Sequence, residues 1–195
     1  NMADKPVNYV SFWSAARFAN WLTNGQPTGA QGSGTTETGT YTLTSDGISN
    51  NTVTRGDWYD ADKGNTSSDT VFAVASEDEW YKAAYYDGDG GYYDYPTQSD
   101  DAPKAENPPG GDNSANYDDF DRGTTDVGAY LNSASHYGTF DQGGNVEEWN
   151  DEIMTTINRG LRGGAFTDSA FDLQPFPSRS FVPGDENFST GFRVS

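Results

Sequence analysis

Ala75-Ser76-Glu77-Asp78-Glu79-Trp80-Tyr81-Lys82-Ala83-Ala84 opens a helix and sets the first fixed point of the fold. Ser76 and Glu79 stand at capping-box spacing, each side chain serving a backbone donor near the other. Trp80, Ala83 and Ala84 then form a stripe to be buried. A second helix lies upstream. Ser11 caps a segment that runs to Leu22, and Gly25 stops it. Within it Ala15, Phe18, Ala19 and Leu22 fall at i, i+3, i+4 and i+7 and share one face.

Between these helices, residues 25–70 are polar and turn-rich, with short β-like pieces at 40–44 and 71–75. Residues 87–125 are mostly Gly, Asp, Asn, Tyr and Pro. That is too long for an ordinary connection and too aromatic for a free linker, so an ordered loop held by its rings or by an ion is expected. The tail from residue 160 alternates apolar pieces with turns and ends in Gly191-Phe192-Arg193-Val194, the expected last strand. Two helices, many short strands and long loops predict one irregular α+β domain over residues 1–195, with small antiparallel sheets.

Composition narrows the function. The net charge is −19, from 11 Lys and Arg against 30 Asp and Glu. Nucleic acid and anionic lipid are poor partners for such a surface; cations are good ones. The chain has no Cys, which removes disulfides, thiolate catalysis and sulfur-held metal together. No run approaches the roughly 20 apolar residues of a membrane span, so membrane insertion is not expected. Only 33% of residues are hydrophobic, so the 5 Trp, 12 Tyr and 11 Phe must build much of the core. Richness in Gly, Thr, Ser, Asn and Asp points to a secreted or cell-surface protein, here without a visible signal peptide and read as a matured or trimmed product.

Four segments in order are similar to one family. Val7-Asn8-Tyr9-Val10-Ser11 resembles its P-V-x-x-V-S entry to the first helix. Ala75-Ser76-Glu77-Asp78-Glu79-Trp80 resembles L-P-T-E-A-E-W. Gly143-Gly144-Asn145-Val146-Glu147-Glu148-Trp149 resembles G-N-V-W-E-W. Arg162-Gly163-Gly164-Ala165-Phe166, with Gly191-Phe192-Arg193-Val194, resembles the closing R-G-G-S-W … G-F-R-V. The chain thus resembles the formylglycine-generating-enzyme, or sulfatase-modifying-factor, family. The resemblance implies a C-type-lectin-like fold. Family members often begin earlier, with a strand and helix carrying V-T-N-x-x-Y/F. This segment is not seen here, so either a longer N-terminus or a neighbouring subunit is expected to cover the gap.

The resemblance also implies chemistry that these residues cannot perform. Formylglycine-generating members hold copper with two cysteines, which would fall around Asp168 and Leu173. Carboxylate is too hard for Cu(I) and Leu is no ligand. The iron of sister enzymes needs two histidines, and this chain has only His136, read as structural or simply exposed. No G-x-S-x-G elbow is present. Paired carboxylates remain open, but 30 acids make such pairs uninformative.

Calcium is the cofactor that the resemblance implies. Its first site carries over to the side chains of Asp141 and Glu148 and the carbonyls of Gly144 and Val146. The Gly pair lets the backbone turn carbonyls inward, and the donors are the hard oxygens calcium takes. Asp141 stands where Asn is common and adds charge; Glu147 stands where Trp is common and removes a ring. A second site matches at Asn116 by side chain and Tyr117 by carbonyl, with Asp118, Asp119 or Asp121 as alternatives for its other half. Asp87-Gly88-Asp89-Gly90-Gly91 resembles a calcium loop but lacks its later acids, so a plain turn is expected.

The family's functional groove maps to residues 166–188, where Phe166, Asp168, Phe171, Phe176 and Phe181 are candidate ligand contacts for sugar or peptide faces. The function expected is a non-catalytic, calcium-stabilised extracellular lectin-like module for ligand binding or surface assembly. Its partners would be protein subunits, including copies of itself, or a glycan or peptide. The alternatives are an enzyme of this superfamily with an unrecognised site, and a tail diversified between copies.

Overall fold

The computed structural model describes residues 2–56, 70–119 and 123–195. Among these residues there are three α-helices: α1 (Phe12–Thr23), α2 (Ser45–Ser49) and α3 (Glu77–Tyr85). The strands are β1 (Lys104–Ala105), β2 (Ser114–Ala115), β3 (Glu147–Ile153), β4 (Arg159–Arg162), β5 (Arg179–Phe181) and β6 (Thr190–Phe192). The α+β class is as expected.

Both predicted helices form. Ser11 Oγ accepts from Ser14 N and caps α1. The buried face of α1, however, is Phe12, Trp13, Ala15, Ala16, Ala19 and Asn20. Phe18 stays 42% exposed, on the flank against Trp21 and Phe192. The reason is that Phe12 enters the core, edge-on to Trp13, Tyr41 and Trp149, while the alanines let the helix lie close to its neighbours. In α3 the capping box is complete: Ser76 N donates to Glu79 Oε2 at 2.9 Å and Glu79 N to Ser76 Oγ at 3.1 Å. Its buried residues are Trp80, Ala84 and Tyr85, with Tyr85 in the place expected of Ala83. The third helix, α2, has five residues and buries none of them, so no periodic signal marks it.

The sheets are mixed rather than antiparallel. The main sheet has the order β5-β4-β3-β6, antiparallel except that β6 runs parallel to β3. After β5 the chain crosses to the far side of β3 instead of turning back as a hairpin, and a crossover lays the last strand parallel. β1 and β2 also pair in parallel. The β-like pieces at 40–44 and 71–75 are single bridges, Tyr41 to Arg55 and Val74 to Val194.

The core is ring-built, as the composition requires. Phe12, Tyr41, Trp149 and Leu161 join the α1 alanines in one cluster; Trp80, Ala84 and Tyr85 make a second under α3. The long loop is ordered by rings: Tyr95 is buried with Ala115 and Leu173, and Tyr117 Oη donates to Pro103 O at 2.5 Å. Among the described residues no helix is long and apolar enough to cross a membrane.

Candidate functional site

The turn at 143–146 delivers β3 to the centre of the sheet, and its geometry depends on glycine. Gly144 has φ +82°, and a Cβ there would lie 2.2 Å from Asn116 O. Asn145 N donates to that same oxygen at 2.8 Å. The two segments expected to bind calcium are therefore in direct backbone contact.

A cavity of about 500 Å3 opens beside the turn, lined by residues that include Asp141, Asn145, Val146, Glu148 and Arg193. Asp141 accepts from Gly128 N at 2.6 Å. Burial raises its pKa, Glu148 adds to the rise, and Gly128 N–H and Arg193 oppose it. Glu148 is 4% exposed and already bound through both oxygens. Trp80 Nε1 and Arg193 Nε donate to Oε2 at 2.6 and 2.5 Å, and Arg193 Nη2 donates to Oε1 at 2.6 Å. The oxygen donors suit calcium by chemistry, but an ion here would share Glu148 with a guanidinium. Among the described residues no group of three or more His, Asp and Glu is set to hold a metal, and this set contains only two carboxylates.

The upstream segment fits a cation better. Asn116 is 2% exposed, and its Nδ2 donates to Gly123 O at 2.8 Å. Its Oδ1 is buried with no hydrogen-bond partner. Asp118 and Asp119 both take positive φ, held by bonds from their N–H groups to Asp168 O and Phe166 O. Asp121 lies outside the described residues.

The tail does not gather its candidates into one groove. Phe166 is 8% exposed and meets Phe188 edge-on; Phe181 packs on the α1 core. Phe171 and Phe176 point outward, 63% and 82% exposed. Asp168 belongs instead to a charge cluster that the sequence did not reveal. Arg179 Nη1 and Nη2 bond Asp168 at 3.0 and 3.1 Å, and Nη2 bonds Asp172 at 2.7 Å. Arg179 Nε lies 3.6 Å from Glu147 Oε1. Glu147 is 3% exposed, and burial pushes its pKa to about 7; Arg179 opposes the rise, while Asp168 and Asp172 reinforce it. Thr190, paired with Glu147 in the sheet, leaves its buried Oγ1 without a partner. One signal pointed here: Glu147 stands where the motif it resembles has a Trp, and such a position is built for burial.

His136 is exposed and lies edge-on to Tyr86 and Tyr137. The 87–91 loop is a plain turn: Asp87 Oδ1 accepts from Asp89 N and Gly91 N at 2.8 and 2.9 Å.

Solved structures share this fold. Treponema denticola variable protein 1 is 21% identical, with a TM-score of 0.65, the match covering 100% of this chain and 72% of that one. CarF is 19% identical at a TM-score of 0.57, over 97% of this chain and 67% of its own. PvdO from Pseudomonas aeruginosa is 17% identical at 0.55, over 98% of this chain and 61% of its own. No curated protein sequence matches at a significant level. The family model for the sulfatase-modifying factor enzyme 1-like domain matches residues 1–195, and the chain belongs to that family.

Proposed function

We propose that the chain is a non-catalytic, calcium-stabilised, lectin-like module that works outside the cell, binding a ligand or packing into a surface assembly. The observation that carries this concerns the two positions at which family resemblance puts copper-binding cysteines. Asp168 is tied to Arg179, and Leu173 is fully buried beside Tyr95 and Ala115. A carboxylate in an ion pair and an aliphatic core residue leave no soft ligand pair for Cu(I). Incubation with copper and a Cys-containing sulfatase peptide is expected to yield no aldehyde; aldehyde above a no-protein control overturns this.

Calcium would be held by Asp141, Glu148 and the carbonyls of Gly144 and Val146, and in a second place by Asn116 and the Tyr117 carbonyl. Its contribution is to tie long loops together, and the unpartnered Asn116 Oδ1 supports it. An ion that binds only the folded state, at 100 times its Kd, stabilises by about 2.7 kcal/mol, on the order of 5–10 °C in Tm for a chain of this size. Melts in calcium and in EDTA should differ by that amount in the wild type and by less in Asn116→Ala and Asp141→Asn. Identical melts in calcium and EDTA would remove calcium from the account.

The enzyme reading has one observation in its favour. Glu147, with a pKa of about 7 beside Arg179, has the perturbed titration of a general acid or base. A turnover whose pH profile bends near that value and which Glu147→Gln abolishes would favour this reading.

A further inference from the structure

A row of tyrosines runs outward from the Trp80–Tyr85 core to the surface. Tyr81, Tyr92, Tyr86 and Tyr137 follow one another with ring centroids 5.1, 5.9 and 5.8 Å apart. Tyr81 leans on the buried Tyr85, which anchors the inner end. Tyr92 and Tyr137 are 49% and 50% exposed. The rows are held by the fold: Tyr86 and Tyr92 face each other across a β-bridge that closes the 87–91 turn. The His136 ring lies so close over Gly88 that a Cβ there would meet Cε1 at 2.5 Å.

Carboxylates neighbour these rings in the chain. The turn closed by Tyr86 and Tyr92 carries Asp87 and Asp89, with Asp89 exposed. A cation already rests on the row: Lys82 Nζ sits 5.7 Å from the Tyr86 centroid. The chain as a whole carries −19. Aromatic faces attract ammonium and guanidinium groups, and neighbouring carboxylates strengthen that preference. The spacing adds a further constraint. Tyr92 and Tyr137 lie on either side of Tyr86, with ring centroids 5.9 and 5.8 Å from it, so they are at most two ring spacings apart, a span that side chains on one face of an extended strand, recurring about every 6.5–7 Å, reach within two repeats. Two separated exposed rings therefore suit two cationic side chains of one extended chain better than a single compact amine.

The geometry points to a docking site on this face for an extended basic polypeptide segment, with its Lys or Arg side chains over Tyr92 and Tyr137 and beside Asp87 and Asp89. The site shares no residue with the proposed calcium sites or with the tail, so its failure and theirs are separable.

Hexalysine titrated calorimetrically into the intact chain is the test, with Tyr92→Leu/Tyr137→Leu as the decisive variant. Leucine keeps apolar bulk and total charge but removes the ring faces. Hexalysine should bind the wild type, and the double variant should bind it roughly tenfold more weakly, at about threefold per exposed ring. Asp87→Asn/Asp89→Asn should weaken it as well and flatten its salt dependence. Equal affinity for wild type and the leucine variant would mean bulk charge attraction alone and overturn the site. So would binding of neutral maltohexaose in place of hexalysine, or no binding at all.

Discussion

Glu148 and Arg193 form a two-point ion pair inside the protein, with Arg193 Nε on Oε2 at 2.5 Å and Nη2 on Oε1 at 2.6 Å. Arg193 also donates to Phe140 O at 3.1 Å, so the last strand region is fastened to the loop before the Gly143–Gly144 turn. Burial works against the arginine's charge, but Glu148 and Asp141 outweigh it and its pKa rises. Removing one partner of such a buried pair leaves the other uncompensated, at a cost of about 3–5 kcal/mol. Glu148→Ala should lose that much in urea unfolding, with and without calcium. Glu148→Ala/Arg193→Met should regain part of it. If the double variant is no more stable than the single one, the pair is not what fastens the strand.

Glu147 makes stability fall with rising pH. Its folded pKa of about 7 lies above the ordinary glutamate value of 4.5, so the folded state holds the proton more tightly than the unfolded chain. The favourable contribution is complete below pH 4.5 and is lost as pH rises to about 7. The loss is on the order of 3 kcal/mol. Glu147→Gln should match the wild type at the acid end and exceed it in alkaline solution, as measured by unfolding across that range. Arg179→Met should extend the decline to higher pH, its start unchanged, because Arg179 is the cation that opposes the rise. A Glu147→Gln profile parallel to wild type throughout would show that Glu147 does not titrate there.

Gly144 tests the contact between the two turns. With φ +82° and Asn116 O 2.2 Å from its built Cβ, alanine must suffer both strain and a backbone clash. The expected loss for Gly144→Ala is about 2–5 kcal/mol. Gly90 serves as the comparison: its φ is +98°, but nothing lies within 4 Å. Gly90→Ala should show only the conformational strain, about 1 kcal/mol. Equal losses at the two positions would show that the 116–144 contact gives way easily.

What the sequence disclosed followed local rules. Ser76 and Glu79 announce their helix because a capping box acts within four residues, and Ser11 does the same for α1. The ordered state of 87–119 was legible from its tyrosines. The parallel β3–β6 pairing was not, because strand direction depends on a crossover of more than thirty residues that no local signal encodes. Phe18 satisfies the helical stripe as well as Phe12 does, and only the position of Trp149 decides which ring is buried. The Arg179 cluster was hidden for the same reason. Glu147, Asp168 and Asp172 are three among 30 acids until β5 brings one guanidinium to all of them.

Arg159 gives the last test, and it separates charge from shape. The side chain is fully buried in β4. Its Nε donates to Asn51 Oδ1 at 2.8 Å, Nη1 to Asp151 O at 2.9 Å, and Nη2 to Val53 O. The guanidinium also lies 4.2 Å from the Phe12 ring centroid. One planar fork thus joins the segment after α2, strand β3 and the first turn of α1. Burial lowers its pKa to about 10, so the charge is retained at neutral pH. Lysine keeps the charge but has one nitrogen and no plane, so it cannot reach three partners or stack on the ring. Unsatisfied buried groups cost about 1–3 kcal/mol each. Arg159→Lys should therefore destabilise by about 2–4 kcal/mol in urea unfolding. If Arg159→Lys were as stable as wild type, a single buried cation would suffice there, and the three-way bridge would not be what ties these segments together.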